Sequence, residues 1–328
     1  MKAIVATPGQ QAPRLVWAEV PEVVIGPAEV LVEVRATAVN RADLLQARGL
    51  YPPPSGASQI LGLEVAGVIS ATGAAVDGWK AGDRVLGLVD GGGYAERVAV
   101  HPGLLLRLPE DWSFTQGAAI PEVWLTAFLN LFIEGGLTAG QAVLIHAGAS
   151  GVGTAAIQMA REAGSIVFAT AGSEAKRNTC RELGATLAID YRTCDFAADI
   201  MAHTSGKGVD LILDPVGAAH LGRDLAVLTP GGRLVLIGLM GGSQSEIDLG
   251  LVLGKSLRLI GSRLRPRPVS EKARITRAFA ERYWPLLAAG RLHPVIDRVV
   301  PIAQAETAHA YVRENRNVGK VVLEIGPA

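Results

Sequence analysis

Cysteine is scarce: the chain of 328 residues has 2, Cys180 and Cys194. No disulfide framework can be built from them, and the absence of a Cys-x-x-Cys pair removes the common zinc-ribbon and redox motifs. Net charge is missing too, since 31 Lys and Arg balance 31 Asp and Glu. That argues against a nucleic acid or acidic membrane held by bulk electrostatics. Long apolar runs are lacking. The longest, Ala118 to Ile133, is interrupted by Pro121, Glu122 and Asn130 and does not read as a membrane span. The opening Met1 to Thr7 runs into Pro8-Gly9, too short an apolar core for a signal peptide. The histidines (101, 146, 203, 220, 293 and 309) are scattered, with no His-x-x-x-His spacing to gather metal ligands, so no metal site is expected. These absences lead to the expectation of a soluble, cytoplasmic protein long enough for two domain cores.

Glycine, by contrast, is plentiful, and its placement carries the first positive signal. The apolar run Ala142-Val143-Leu144-Ile145 is followed by Gly148, Gly151 and Gly153, then by small and apolar residues at helical spacing from Thr154 to Ala163. A strand, a glycine turn and a helix bring backbone N–H groups close to a pyrophosphate and set it at the positive helix end. The order G-x-x-G-x-G departs from the usual G-x-G-x-x-G. The stretch that follows nevertheless keeps a βα rhythm, with strands expected at 142–146, 166–170, 186–189, 209–214, 232–238 and 257–261. Ser150 inside the turn can offer N–H and hydroxyl to a cofactor, alongside Val152. Gly148-Ala149-Ser150 also begins the hydrolase pattern G-x-S-x-G, but Val152 breaks it.

The flanks read differently. Strands are expected at Met1–Thr7, Arg14–Val20, Glu29–Val39, Leu63–Ala71, Asp83–Leu88 and Tyr94–Val100. One short helix follows Asn40, with Asp43 three residues on and Gly49 ending it. Tyr51-Pro52-Pro53-Pro54 is a stiff extended segment. Gly91 to Gly93 reads as a flexible hairpin, and Thr115 to Glu134 as helical. After Pro266 come a helix (270–289), a strand (295–300), a helix (303–314) and a strand (320–325) that have no partner left in the nucleotide sheet. The expected division is therefore 1–120 with 266–328, around a nucleotide-binding domain at 121–265.

The choice of nicotinamide cofactor turns on the end of the second strand. An acidic residue there would hold a ribose 2′-hydroxyl. The chain has Thr170-Ala171-Gly172-Ser173 instead, followed by Lys176 and Arg177, which suits a 2′-phosphate. NADPH is the expected cofactor.

Several stretches taken together resemble the medium-chain dehydrogenase/reductase superfamily, and within it the zeta-crystallin-type NADPH:quinone oxidoreductases. They are Asn40-Arg41-Ala42-Asp43, Gly62-Leu63-Glu64, Pro121 to Ala127, Ala147 to Gly153, Thr170 to Ser173, Gly238 to Gly242 and Asn317 to Lys320. Tyr51 to Pro54 matches the subgroup typified by the tumour-suppressor-inducible quinone oxidoreductase of animals. The resemblance spans essentially the whole chain. It implies an α/β protein: a split, GroES-like β-rich catalytic domain around a Rossmann domain with a doubly wound parallel sheet. It also implies a homodimer and an activity that reduces quinones or enones. Zinc members have Cys where this chain has Asn40 and His where it has Leu63, so a metal-free hydride transfer is implied. The resemblance sets Asn40 and Tyr51 by the acceptor, with Thr126 near the nicotinamide. It sets Tyr191 by the ribose, Gly217 and Gly238-Leu239-Met240 at the strand ends, and Arg263 and Asn317 over the cofactor. Glu64 is expected in a structural ion pair. Enoyl or alkenal reduction, or cofactor binding without turnover, are the alternatives on this scaffold.

Overall fold

Alternation of apolar and polar side chains builds the first unit. The structure, a computed structural model, describes residues 1–7, 9 and 12–326. Strands β1 (Lys2–Thr7) and β2 (Arg14–Glu19) pair antiparallel. β3 (Val30–Ala38) buries Val30, Val32 and Val34 on one face, the period-two pattern of a half-buried strand. Helix α1 (Arg41–Ala47) follows, then β4 (Glu64–Thr72), β5 (Arg84–Leu88), β6 (Arg97–Val100) and β7 (Leu105–Arg107). β7 was not anticipated; three residues are too few to show a period.

The helical stretch expected at 115–134 is broken. Helices α2 (Phe114–Ala118) and α3 (Pro121–Phe128) are separate, because proline at the first helical position starts a new helix rather than continuing one. Beyond α3 the chain widens to a π-helix over Leu129–Glu134. There the Asn130 amide donates to the Thr126 carbonyl oxygen at 2.7 Å, taking the acceptor an α-helical backbone would use, and Gly135 N–H reaches back to the Asn130 carbonyl.

The second unit is a parallel sheet. β8 (Ala142–Ile145), α4 (Gly151–Glu162), β9 (Ile166–Ala171), α5 (Glu174–Glu182), β10 (Leu187–Asp190), α6 (Phe196–His203), β11 (Val209–Asp214), α7 (Leu221–Val227), β12 (Leu228–Leu236), α8 (Leu249–Gly254) and β13 (Arg258–Gly261) alternate. The strand order is β10-β9-β8-β11-β12-β13, all parallel. This third-second-first-fourth-fifth-sixth order is the doubly wound nucleotide fold, whose strand order reverses beside β8. β8 is buried along its whole length, as expected where helices cover both faces. β12 starts earlier than expected, passing Gly231-Gly232 with a register irregularity.

The tail consists of α9 (Val269–Ala288), β14 (Ile296–Pro301), α10 (Ala305–Arg313) and β15 (Lys320–Glu324). β15 pairs antiparallel with β3, completing a seven-stranded sheet ordered β14-β15-β3-β4-β5-β7, with β6 also on β3. The two compact units are Met1–Leu125 with Arg265–Ala328, and Thr126–Leu264. The α/β fold of GroES-like and Rossmann parts is as the sequence suggested. The Gly91–Gly93 segment is no loose hairpin: Gly92 N–H bonds the Ile60 carbonyl, and a side chain on Gly91 would strike the Ser58 carbonyl oxygen at 2.3 Å. Among the described residues, no helix is long and apolar enough to cross a membrane.

Candidate functional site

In the second unit the glycine turn rises from β8. Ala147 takes a left-handed conformation (φ 51°), unusual for a residue with a Cβ, and turns the chain toward α4. A side chain on Gly153 would lie 2.5 Å from the carbonyl oxygens of Ala147 and Gly148, so the helix can approach its strand only with glycine there. Gly148 N–H bonds the Thr170 carbonyl at 2.8 Å, tying the turn to β9. Ser150 departs from its expected double role. Its N–H donates to the Ala147 carbonyl at 2.8 Å, and its Oγ accepts from Gly153 N–H at 3.0 Å as the helix N-cap. The N–H groups of Gly151 and Val152 remain as the orphan donors of the first turn. They, with the hydroxyl hydrogen of Ser150, suit a pyrophosphate.

At the ends of β9 and β10, Gly172, Tyr191 and Arg192 gather. A Cβ on Gly172 would sit 3.0 Å from the Tyr191 hydroxyl and 2.8 Å from Arg192 Nε. Ser173 is the N-cap of α5, accepting from Lys176 N–H, and Lys176 is half-buried in that first turn. Arg177 is spent: it bonds Glu174 and Asp190. Arg192, which sequence reasoning passed over, is the cation beside Tyr191, its guanidinium 5.9 Å from the ring centroid. A cradle kept open by glycine, rimmed by a hydroxyl and a cation, fits the ribose end of a dinucleotide. Gly217 (φ 80°) and Leu239 also meet, since a Cβ on Gly217 would touch Leu239 Cδ2 at 2.9 Å. Gly238 follows β12, and Leu239 and Met240 are exposed beside it. Thr126 is half-buried, its carbonyl holding Asn130. Arg263 lies exposed just after β13.

Directly under the turn lies a buried cluster that the sequence did not announce. His146 Nδ1 lies 2.9 Å from Thr170 Oγ1, and Nε2 2.8 Å from Asp224 Oδ1. Burial holds the His146 imidazole down to about 4, opposed by the Asp214 charge. Burial likewise pushes Asp224 up and lowers His220 to about 3. The close His146–Asp224 contact is therefore a hydrogen bond with a neutral imidazole rather than a salt bridge.

The first unit holds a second polar centre, at the start of α1. Lys320 Nζ donates to Asn40 Oδ1 and Glu64 Oε1, each at 2.7 Å, and to the Val39 carbonyl at 3.1 Å. Asn40 Nδ2 in turn donates to Glu64 Oε1 at 2.7 Å and the Ala38 carbonyl at 3.2 Å. Glu64 Oε2 accepts from Glu122 N–H at 2.9 Å. Glu64 thus makes the expected ion pair, with Lys320. Asn40 is corrected in one respect: both amide hydrogens are committed inside this unit, so it has none left to donate to an acceptor. Nor does its side chain cap α1; Asp43 Oδ2 does half of that work by accepting Asn40 N–H at 2.8 Å. Asp43 also takes Gly62 N–H at 3.0 Å, and burial, the largest influence, raises its carboxyl to about 6. Gly62 must be glycine, since a Cβ there would press Tyr94 N at 2.6 Å.

Tyr51 lies with Arg265, whose guanidinium is 5.4 Å from the ring centroid. Asn317 closes its own turn, Nδ2 donating to the Gly319 carbonyl at 2.8 Å. Among the described residues no group of three or more His, Cys, Asp or Glu side chains could hold a metal ion.

Two families match in succession, the alcohol dehydrogenase GroES-like domain over residues 26–110 and the zinc-binding dehydrogenase over 151–280. The solved CurK enoyl reductase is 32% identical, with a TM-score of 0.84 over 95% of each chain. The quinone oxidoreductase of Escherichia coli, solved with NADPH, is 28% identical with a TM-score of 0.88, covering 99% of this chain and 100% of that one. The spectinabilin polyketide synthase system protein of Streptomyces orinoci is 40% identical over 321 residues, or 96% of this chain. The chain spans only 14% of that protein's length. Fold and glycine turn define an oxidoreductase scaffold of the NAD(P) type. The chain belongs to the medium-chain dehydrogenase/reductase superfamily.

Proposed function

We propose that this chain is an NADPH-dependent reductase of quinones that transfers hydride without a metal ion, within the zeta-crystallin-type group. The observation that carries the reading is the seat of Lys320. Its ammonium donates to Asn40 Oδ1 and Glu64 Oε1, and Asn40 stands where the zinc members of the superfamily have their first ligand. Without a Lewis acid to polarise an alcohol, the suitable acceptors are electron-poor already. A bound nicotinamide supplies the hydride; the protein's part is to orient the acceptor and stabilise charge on its oxygen. Tyr51 offers a ring and hydroxyl for the acceptor, while the Lys320–Glu64–Asn40 lattice fixes the start of α1. The pairing of Tyr191 with Arg192, and Lys176 in the first turn of α5, support NADPH over NADH. Arg192→Ala should narrow the ratio of NADPH to NADH kcat/KM severalfold, and an unchanged ratio would count against that preference.

The test of the whole reading is NADPH consumption with 1,2-naphthoquinone and 1,4-benzoquinone, with and without a chelator. Turnover indifferent to the chelator supports it. Enone or enoyl-thioester reduction is the second reading, favoured by the similarity to CurK enoyl reductase and the polyketide synthase protein. Activity confined to enones would replace the first with the second. NADPH binding without oxidation of either class would leave a cofactor-binding protein. The resemblance leads us to expect a homodimer, and light scattering on the purified chain tests it.

A further inference from the structure

Arg265 is a buried cation whose counter-charge is missing. It is 4% exposed. Nε and Nη2 donate to the Asp90 carbonyl oxygen at 2.9 and 2.5 Å, and Nη2 also to Gln46 Oε1 at 2.7 Å. Nη1 has no hydrogen-bond partner. None of these contacts is to an anion. The Asp90 carboxylate is the obvious candidate, yet both its oxygens are held by Lys272 Nζ at 2.5 Å.

Glu122 is the other carboxyl that feels Arg265. Burial first, then the Glu64 charge, with Asp43 adding and Lys320 and Arg265 opposing, push it up to about 8. At neutral pH it is therefore largely protonated and leaves the guanidinium uncompensated. A buried guanidinium with an idle N–H is destabilising unless something pairs with it. Here the idle donor belongs to the same group that lies beside the Tyr51 ring, a flat apolar face suited to a planar ligand.

We propose that Arg265 Nη1 binds the acceptor oxygen on which negative charge collects during reduction. The ligand class is a planar conjugated carbonyl compound whose oxygen becomes phenolate or enolate. This rests on the reductase reading above. Hydride transfer would break a C–H bond of the reduced nicotinamide, leaving that ring oxidised, and form one bond to the acceptor, which is reduced by two electrons. The electron pair displaced from the conjugated π-bond then resides on oxygen, and a proton from water completes the O–H or C–H bond. Arg265 stabilises the intervening anion, so it is a catalytic residue rather than a structural one. The same chemistry, an anionic oxygen, could come from a cofactor phosphate instead, and the test separates the two.

The probe is 4-nitrophenol, titrated into the apoprotein, with absorbance reporting its ionisation. Arg265 should lower the bound phenol's pKa by about one unit or more, as an adjacent cation does. Arg265→Gln should abolish that shift and Arg265→Lys restore part of it, while NADPH binding, followed by fluorescence, stays within about twofold. An undiminished shift in Arg265→Gln would overturn the proposal. So would a tenfold loss of NADPH binding with the phenol shift intact, which gives Arg265 to the cofactor. Thermal unfolding of both variants checks the fold, and the lysine variant carries the test where the glutamine variant does not fold. The two readings fail separately. A phenolate held by Arg265 without turnover of quinones or enones leaves the site and removes the reductase. Turnover with an unaltered acceptor kcat/KM in Arg265→Gln leaves the reductase and removes the site.

Discussion

In the first unit Lys320 and Glu64 are buried as an ion pair, 3% and 0% exposed at the side chain, whereas in the second His146 is buried uncharged. The difference lies in the count of partners. Lys320 has three hydrogens and three acceptors; Glu64 receives Lys320, Asn40 and the Glu122 N–H. A pair so completely bonded can stay charged out of water. Beneath the glycine turn the bonding is incomplete: Asp224 Oδ2 and His220 Nδ1 have no partner. Burial then favours the neutral forms, raising the acid and lowering the imidazoles. The ionic centre locks β15 to the start of α1; the His146–Asp224 contact beneath the cofactor turn is a neutral hydrogen bond.

The sharpest way to break this contrast is to remove one ion. Lys320→Met strands Glu64 and should cost about 3–5 kcal/mol in urea unfolding, whereas adding Glu64→Leu to it should recover much of that loss. Additive losses in the double variant would mean that the pair does not act as one.

Acid reads the buried titratable groups next. The His146 pKa is lowered on folding from 6.5 to about 4, so the stability it contributes is present above about pH 6.5 and is lost as pH falls toward 4. Its share of the slope should approach about 1.4 kcal/mol per pH unit, and His146→Asn should remove that share while leaving the part that His220 and His309 contribute. Asp43 and Asp214 act in the opposite sense. Each is raised from 3.8 to about 6, so their contribution is complete below about pH 4 and fades as pH rises through 6. Urea midpoints across this range read both signs.

Smaller effects sharpen the picture. Ser150→Ala removes the N-cap of α4 and should cost about 1 kcal/mol while weakening NADPH binding severalfold. Smallest of all, Asp224→Asn should change stability by no more than about 1 kcal/mol, since the acid it replaces is already favoured in its neutral form. A loss as large as that of Lys320→Met would mean that Asp224 is ionised and that the two centres are alike.

Much of the scaffold was legible locally. β3 declared itself by alternation, the nucleotide turn by the spacing of Gly148, Gly151 and Gly153, and Glu64 as one half of an ion pair. Its other half was not legible, because Lys320 lies 256 residues away on β15. Asn40 looked like a cap because Asn, followed by Asp three residues later, is a capping pattern; its side chain instead turned toward two charges that only the fold brings near. Arg192 and Arg265 were equally hidden. Charged residues in a sequence carry no mark of whether an anion stands beside them, and Arg177 drew attention although Glu174 and Asp190 already consume it.

Periodicity, turn chemistry and glycine spacing depend on neighbours along the chain, and these determined the strands, the helix starts and the nucleotide-binding half. Which side chains are charged, which donors are satisfied and which cation lacks a partner depend on distances between segments remote in sequence. Only the tertiary structure decided those, because burial and hydrogen bonding are set by the groups that folding brings together.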